Sequence, residues 1–169
     1  RDNVPNALPV TKIDVCVDRE TGQITMTNNG NGMDVVRSDA ATDEAAAGVW
    51  QPELVFAHLR TSTNYDTTEK KIVGGKNGFG VKLVSIWSTY SCIETVDHVR
   101  KLKYTQIYDR NLSTIHPPKI VACTKQPYTK LTFIPDYARL NMPQGLTADM
   151  YALLQKRVID IAAVRSEEH

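Results

Sequence analysis

The stretch Thr11-Lys-Ile-Asp-Val-Cys-Val-Asp18, continued by Arg19-Glu-Thr-Gly-Gln23 and Ile24-Thr-Met-Thr27, decides the fold. Ile13, Val15 and Val17 alternate with polar neighbours, and after a turn at Glu20-Thr21-Gly22 the residues Gln23 to Thr27 alternate again. A period of two puts every second side chain on one face of a pleated ribbon, so the pattern predicts a β-hairpin with one buried face. Asn28-Asn29-Gly30-Asn31-Gly32 follows at once. Asparagine and glycine favour left-handed and turn conformations, so the second strand is expected to end there in a tight loop.

Outward from the hairpin, residues 36–48 are small and polar with no large apolar face, and read as an exposed excursion. Pro52 to Leu59 predicts a short helix, with proline in its first turn, Glu53 near its positive end, and a stripe at Leu54, Val55, His58 and Leu59. Residues 60–79 show no sustained period. Loops longer than about 15 residues in compact domains are usually lids or disordered segments, which makes this stretch a functional candidate. A second helix is expected from near Gly80 through Leu83, Val84 and Trp87. Strands follow at Thr89–Val96 and Leu102–Asp109 around an Asp97-His98 turn, then at Ile120–Thr124 and Lys130–Ile134. An amphipathic helix opens near Thr147, with Met150, Leu153, Leu154, Val158, Ile161 and Ala162 on one stripe.

The chain has 169 residues, 41% of them hydrophobic and 23% charged, which suits a soluble α/β domain with a real core and excludes a disulfide-stapled mini-protein. Twenty Lys and Arg against nineteen Asp and Glu leave a formal charge of +1, so no sequence-wide field draws the chain to nucleic acid or to an acidic membrane. Any DNA contact is local or lies elsewhere. Cys16, Cys92 and Cys123 are too widely spaced for a zinc knuckle and read as reduced thiols of a cytosolic or nuclear protein. The apolar runs fall far short of the roughly 20 residues that span a bilayer, so no membrane partner is expected. The chain opens at Arg1 without methionine, which suggests a processed product or an excised fragment.

Gly74-Gly75-Lys76-Asn77-Gly78-Phe79-Gly80-Val81-Lys82 combines a glycine-rich backbone with a lysine at the opening of a helix. Bare N–H groups can approach phosphate oxygens closely, and the lysine adds a full charge. The segment is neither a Walker A loop, since Gly80 is followed by Val81 and Lys82 by Leu83, nor a Rossmann fingerprint, since the third glycine is missing. Taken alone, such a glycine-rich turn is more often a structural hinge than a phosphate cradle. The basic positions Arg100, Lys101, Lys103, Arg110, Lys119, Lys125 and Lys130 read as a solvated face. None of the histidines has triad or metal spacing.

The order and spacing of Asn28-Asn-Gly-Asn-Gly-Met33, Thr61-Ser-Thr-Asn-Tyr-Asp66 and the glycine and lysine segment carry more than any one of them. Together with Pro52-Glu-Leu-Val-Phe56 and Glu69-Lys-Lys71, they resemble the ATPase region of eukaryotic-type type IIA DNA topoisomerases. That region sits in the wider superfamily of gyrase, mismatch-repair, heat-shock-chaperone and histidine-kinase nucleotide-binding domains. The resemblance covers nearly the whole chain and implies a Bergerat-type α/β fold: a two-layer sandwich whose mixed, mainly antiparallel sheet is covered on one face by helices, here lacking its first helices.

It also implies roles. Asn28 would face adenine, since a carboxamide serves both a donor and an acceptor, with Met33 packing on the base and Thr129 close by. Gly30 and Gly32 would let the loop approach closely. Ser62, Thr63 and Asn64 would contact ribose and phosphates. Gly75, Lys76, Asn77, Gly78, Phe79, Gly80, Val81 and Lys82 would form the phosphate lid, with Lys82 meeting the triphosphate charge. The family's general base and its Mg²⁺-holding asparagine sit on a helix that would lie upstream of Arg1, and a transducer lysine would lie downstream of His169. The fragment alone is therefore expected not to hydrolyse ATP. The parent is expected to be a nuclear homodimer that binds double-stranded DNA through other domains. The same residues leave open a non-enzymatic binding module of this fold, or another ATPase of the superfamily.

Overall fold

A computed structural model of the chain describes residues 7–38, 47–58 and 79–166. The hairpin forms as the alternation requires: β1 (Ile13–Val17) pairs antiparallel with β2 (Ile24–Asn29), and Asp18 Oδ1 accepts the Glu20 and Thr21 N–H groups in the turn between them. β2 runs two residues further than the sequence suggests, because Asn28 and Asn29 belong to it. The Asn29 carboxamide explains this. Its Oδ1 accepts the N–H groups of Thr11 and Lys12, and its Nδ2 donates to Thr11 Oγ1, so a side chain pins the incoming chain to the strand.

The remaining elements are α1 (Gln51–Ala57), α2 (Gly80–Ile86), β3 (Ser88–Val96), β4 (Leu102–Asp109), β5 (Thr114–Ile115), β6 (Lys119–Ala122), β7 (Tyr128–Pro135) and α3 (Ala148–Ser166). The strands make one seven-stranded sheet in the order β1-β2-β7-β3-β4-β5, with β6 also on β4. Every pairing among the described strands is antiparallel, so the expected mixed character does not appear among them. β7 is longer than expected because Tyr128 and Thr129 pair with both Asn29–Asn28 and Val96–Thr95. The two-residue β5 has too few residues to show a period, and the sequence gives no sign of it.

Cross-strand partners share a face, and the register places Ile24, Leu131, Phe133, Ile93, Tyr104 and Tyr108 together. These residues form the core with Val35 and with Phe56 and Ala57 of α1; Val81 and Val84 of α2 and Leu154 of α3 pack against it. The helices therefore cover one face. The opposite face carries Cys92, Glu94, Lys103 and Lys130 on alternate positions. There Tyr128 Oη donates to Glu94, and Lys103 Nζ lies 2.6 Å from Glu94 Oε2. Two of the basic positions read as a solvated face are thus held by one carboxylate.

Inside the helix-covered side, Gln106 is buried and fully used. Its Oε1 accepts the hydroxyls of Tyr104 and Tyr108 at 2.5 and 2.7 Å, and its Nε2 donates to Glu53 Oε2 at 2.7 Å and to the His116 carbonyl at 3.0 Å. Burial, with the nearby Glu53 charge, raises both tyrosines above their ordinary range, so both remain donors. Glu53 acts here as the acid that ties α1 to β4.

α3 departs from expectation. Met150 N donates to Thr147 Oγ1 at its start, and Arg19 lies over the Tyr151 ring, yet Leu153, Val158 and Ile161 on the apolar stripe are exposed. Among its described side chains, Leu154 packs against the core. No helix among the described residues is long and apolar enough to cross a membrane.

Gln106→Leu strands two buried hydroxyls and a carboxylate at once. It is expected to lower the chain's stability by about 2–4 kcal/mol in urea unfolding, with an unchanged m-value.

Candidate functional site

Asn28, Met33 and Thr129, separated in sequence, meet at one end of the sheet. Asn28 and Thr129 are direct partners across β2 and β7, and Thr129 is in turn the partner of Thr95 on β3. Thr95 is fully buried, and its Oγ1 accepts the Met33 N–H at 2.9 Å, donates to the Tyr128 carbonyl at 2.9 Å and lies 3.2 Å from Thr129 Oγ1. Asn28 donates from Nδ2 to the Asn29 carbonyl at 2.8 Å, which leaves its Oδ1 as an acceptor. Both Asn28 and Thr129 are half-buried. The site therefore presents an amide and a hydroxyl side by side at the sheet end, with Met33 held beside them.

The loop that carries Met33 lies close against β3. Gly32 has φ +70°, and a Cβ there would sit 2.0 Å from the Val96 carbonyl oxygen, so no side chain fits. Gly30, at φ +105°, would similarly meet Val10. Val35 N donates to Asp97 Oδ2 at 2.9 Å, and the Asn31 carbonyl accepts the His98 N–H at 3.0 Å. Asp97 is buried and also accepts the Val99 and Arg100 N–H groups and the Arg100 guanidinium, which reaches Asp34 as well. Burial pushes the Asp97 carboxyl up, but the donors from Arg100, Val35 and Val99 outweigh it and hold it below the ordinary carboxylate range.

Of the lid positions, Phe79, Gly80, Val81 and Lys82 are described. Phe79 and Gly80 are exposed, and a Cβ on Gly80 would meet nothing within 4 Å. Val81 packs against the core, while the Lys82 side chain is 1% exposed and burial lowers its pKa. Ser62, Thr63, Asn64, Gly75, Lys76, Asn77 and Gly78 lie outside the described residues, as does most of the 36–48 excursion.

No family model matches the chain. DNA topoisomerase 2 of Penicillium chrysogenum is 41% identical over 161 residues, which is 95% of this chain and 10% of that protein. DNA topoisomerase 2 of Acanthamoeba polyphaga mimivirus is 44% identical over 150 residues, 89% of this chain and 11% of that protein. In three dimensions the chain matches the crystal structure of the ATPase region of Saccharomyces cerevisiae topoisomerase II with a TM-score of 0.84 and 40% identity, covering 90% of this chain and 39% of that one. The chain belongs to the type IIA DNA topoisomerase family, in its ATPase region. It spans about a tenth of the length of the curated topoisomerases it matches.

Within this topoisomerase segment, sequence reasoning overlooked Thr95 and Asp97, which hold the Met33 loop. It assigned Asp97 to a turn and Arg100 to a solvated face. The signal was present: Ser91, Ile93 and Thr95 share one parity on β3 and Asp97 continues it just past the strand end, and polar residues in a core-facing row need a reason to be there. Among the described residues no three His, Cys, Asp or Glu side chains gather as a metal site. The cysteines are free, and His58 and His116 lie near Glu53 and Asp109 without forming a triad.

Two outcomes follow from this geometry. Because the Asp97 pKa is depressed on folding, its contribution is present above the unfolded value of about 3.9 and lost as pH falls through the lower folded value. Asp97→Asn should lower stability by about 1–3 kcal/mol at pH 7 and flatten the loss of stability on acidification below about pH 4, as measured by urea unfolding against pH.

Proposed function

We propose that this chain is the adenine-nucleotide-binding part of an ATP-dependent type IIA topoisomerase. In the whole enzyme, ATP binding would close a gate between two protomers and drive one DNA duplex through another. The observation that carries the reading is the side-by-side placement of Asn28 and Thr129 across β2 and β7, with Met33 tied to the same point through Thr95. The donor set fits the base: an amide and a hydroxyl can satisfy an exocyclic amino group and a ring nitrogen, and the Met33 side chain can cover an aromatic face. The close approach enforced at Gly32 keeps the loop thin where the base would enter.

The triphosphate would be held by Ser62, Thr63, Asn64 and the segment Gly75 to Lys82, and bound nucleotide would supply the free energy of gate closure. A buried ammonium gains more from an incoming anion than a hydrated one, which supports Lys82 as the cation that meets that charge. Mg²⁺ would accompany the triphosphate, held by a residue outside this segment. The general base would lie outside it too, so the 169-residue chain alone is expected to turn over essentially no ATP. Double-stranded DNA would be gripped by other parts of a homodimeric enzyme acting in the nucleus, in keeping with the formal charge of +1 here.

In the whole enzyme, Lys82→Ala should reduce DNA-stimulated ATP hydrolysis by at least about tenfold, and undiminished hydrolysis would sink the assignment. Asn28→Ala should weaken ATP binding about tenfold in equilibrium titration while leaving the urea midpoint nearly unchanged, since the side chain is half-exposed and bonds only locally.

A further inference from the structure

We infer that Asn29 and Asn31 are positioning residues for the hydrolytic step. They fasten residues 8–12, the segment entering the fold, to the back of the loop that carries Asn28 and Met33, and so hold groups borne on the N-terminal side of that segment in register with bound nucleotide. The inference rests on the nucleotide reading above, in which the general base lies outside this chain, and deepens it by naming what keeps that base in place.

The run from Asn28 to Met33 is used on both sides. Asn28 and Met33 meet Thr129 and Thr95 at the sheet end, whereas Asn29, Gly30 and Asn31 grip the incoming chain. Asn29 Oδ1 accepts the N–H groups of Thr11 at 2.9 Å and Lys12 at 3.0 Å, its Nδ2 donates to Thr11 Oγ1 at 2.7 Å, and its own N–H donates to the Lys12 carbonyl at 3.3 Å. Asn31 Oδ1 accepts the Leu8 N–H at 2.5 Å. Between them Gly30, at φ +105°, lies so close that a Cβ would stand 2.9 Å from Val10 Cγ2 and 3.4 Å from the Leu8 carbonyl oxygen.

Residues 7–12 belong to no helix or strand and are exposed throughout. A segment of that kind is ordered by what ties it down, because little of it is buried. Here two carboxamides supply acceptors to amides that have no ladder partner. Neither carboxamide faces the sheet end where the base would sit, so affinity for the nucleotide rests on Asn28, Thr129 and the phosphate-binding positions. Hydrolysis is more demanding, since a misplacement of about 1 Å can cost about 10²-fold in rate. Loosening the strap therefore lowers turnover and leaves affinity in place. Asn29 and Asn31 act through the segment they hold.

The test separates turnover from affinity in the whole enzyme. Equilibrium ATP titration and the kcat of DNA-stimulated hydrolysis are measured for the unaltered enzyme, Asn29→Ala, Asn29→Asp and Asn31→Ala. Asn29→Ala removes every side-chain bond from Asn29 to the strap and should lower kcat by about tenfold, while the Kd for ATP changes by less than about twofold. Asn29→Asp keeps an acceptor for the Thr11 and Lys12 amides and should recover most of the kcat. Asn31→Ala removes the Leu8 bond alone and should show the same split with a smaller fall, about threefold. In the nucleotide-free enzyme, the Thr11 amide should exchange with deuterium faster in Asn29→Ala and at its normal rate in Asn29→Asp. An unchanged kcat in Asn29→Ala, a Kd that weakens as much as kcat falls, or no recovery in Asn29→Asp overturns the inference while the nucleotide reading stands. An unaltered enzyme that binds no ATP removes the nucleotide reading and this inference with it. Should Asn29→Ala fail to fold, Asn31→Ala, at a half-buried position, decides alone, and an unchanged kcat there overturns the inference.

Discussion

Two amide N–H groups spaced two residues apart, those of Met33 and Val35, donate to two side-chain oxygens spaced two residues apart, on Thr95 and Asp97. The site depends on this pairing. A loop leaving the end of a strand has no ladder partner, and buried amides without acceptors are costly. Here side chains at the end of β3 stand in for the missing backbone carbonyls. The arrangement draws the loop so close that Gly32 has no room for a Cβ, places Val35 in the core and fixes Met33 beside Asn28 and Thr129. Arg100 then closes the corner by bridging Asp97 and Asp34.

The hairpin, both short helices, the long β3–β4 pair and the last helix were legible because each has a period that a short window can register. The end of β2 was not, because the extension depends on the Asn29 side chain reaching Thr11 and Lys12, a contact that no local propensity encodes. The candidate site was legible in the three residues that meet at the sheet end and illegible in the residues behind them. Asn28, Met33 and Thr129 belong to a recognisable pattern, whereas Thr95 looks like any strand threonine until its neighbours on β7 and in the Met33 loop are known. The stripe on α3 was read correctly as a pattern, but amphipathic spacing says which residues share a face and not whether that face is covered.

The sheet face opposite the described helices holds its charges in close pairs. Glu94 sits at the centre of that face with Lys103 at 2.6 Å and Lys130 at 3.7 Å, and the Tyr128 hydroxyl donates to it. Burial works against the Glu94 charge, but these donors hold its carboxyl below the ordinary range. Basic residues that satisfy a carboxylate within the sheet contribute little field toward a distant polyanion. Tyr128 also links the two faces, since its carbonyl serves Thr95 on the side of the candidate site while its hydroxyl serves Glu94 on the other.

The pairing of β2 with β7 bears on how the molecule is made. It joins strands far apart in sequence, with Thr25 and Thr132, 107 positions apart, in contact across it. Closing so large a loop is entropically unfavourable until the intervening strands have already formed. The hairpins β1–β2 and β3–β4 can assemble as their segments emerge during synthesis, but Asn28 cannot meet Thr129 until the hundred residues between them have been made. The sheet end where Asn28 and Thr129 meet therefore closes after those hairpins, so a chain halted before β7 has no candidate site.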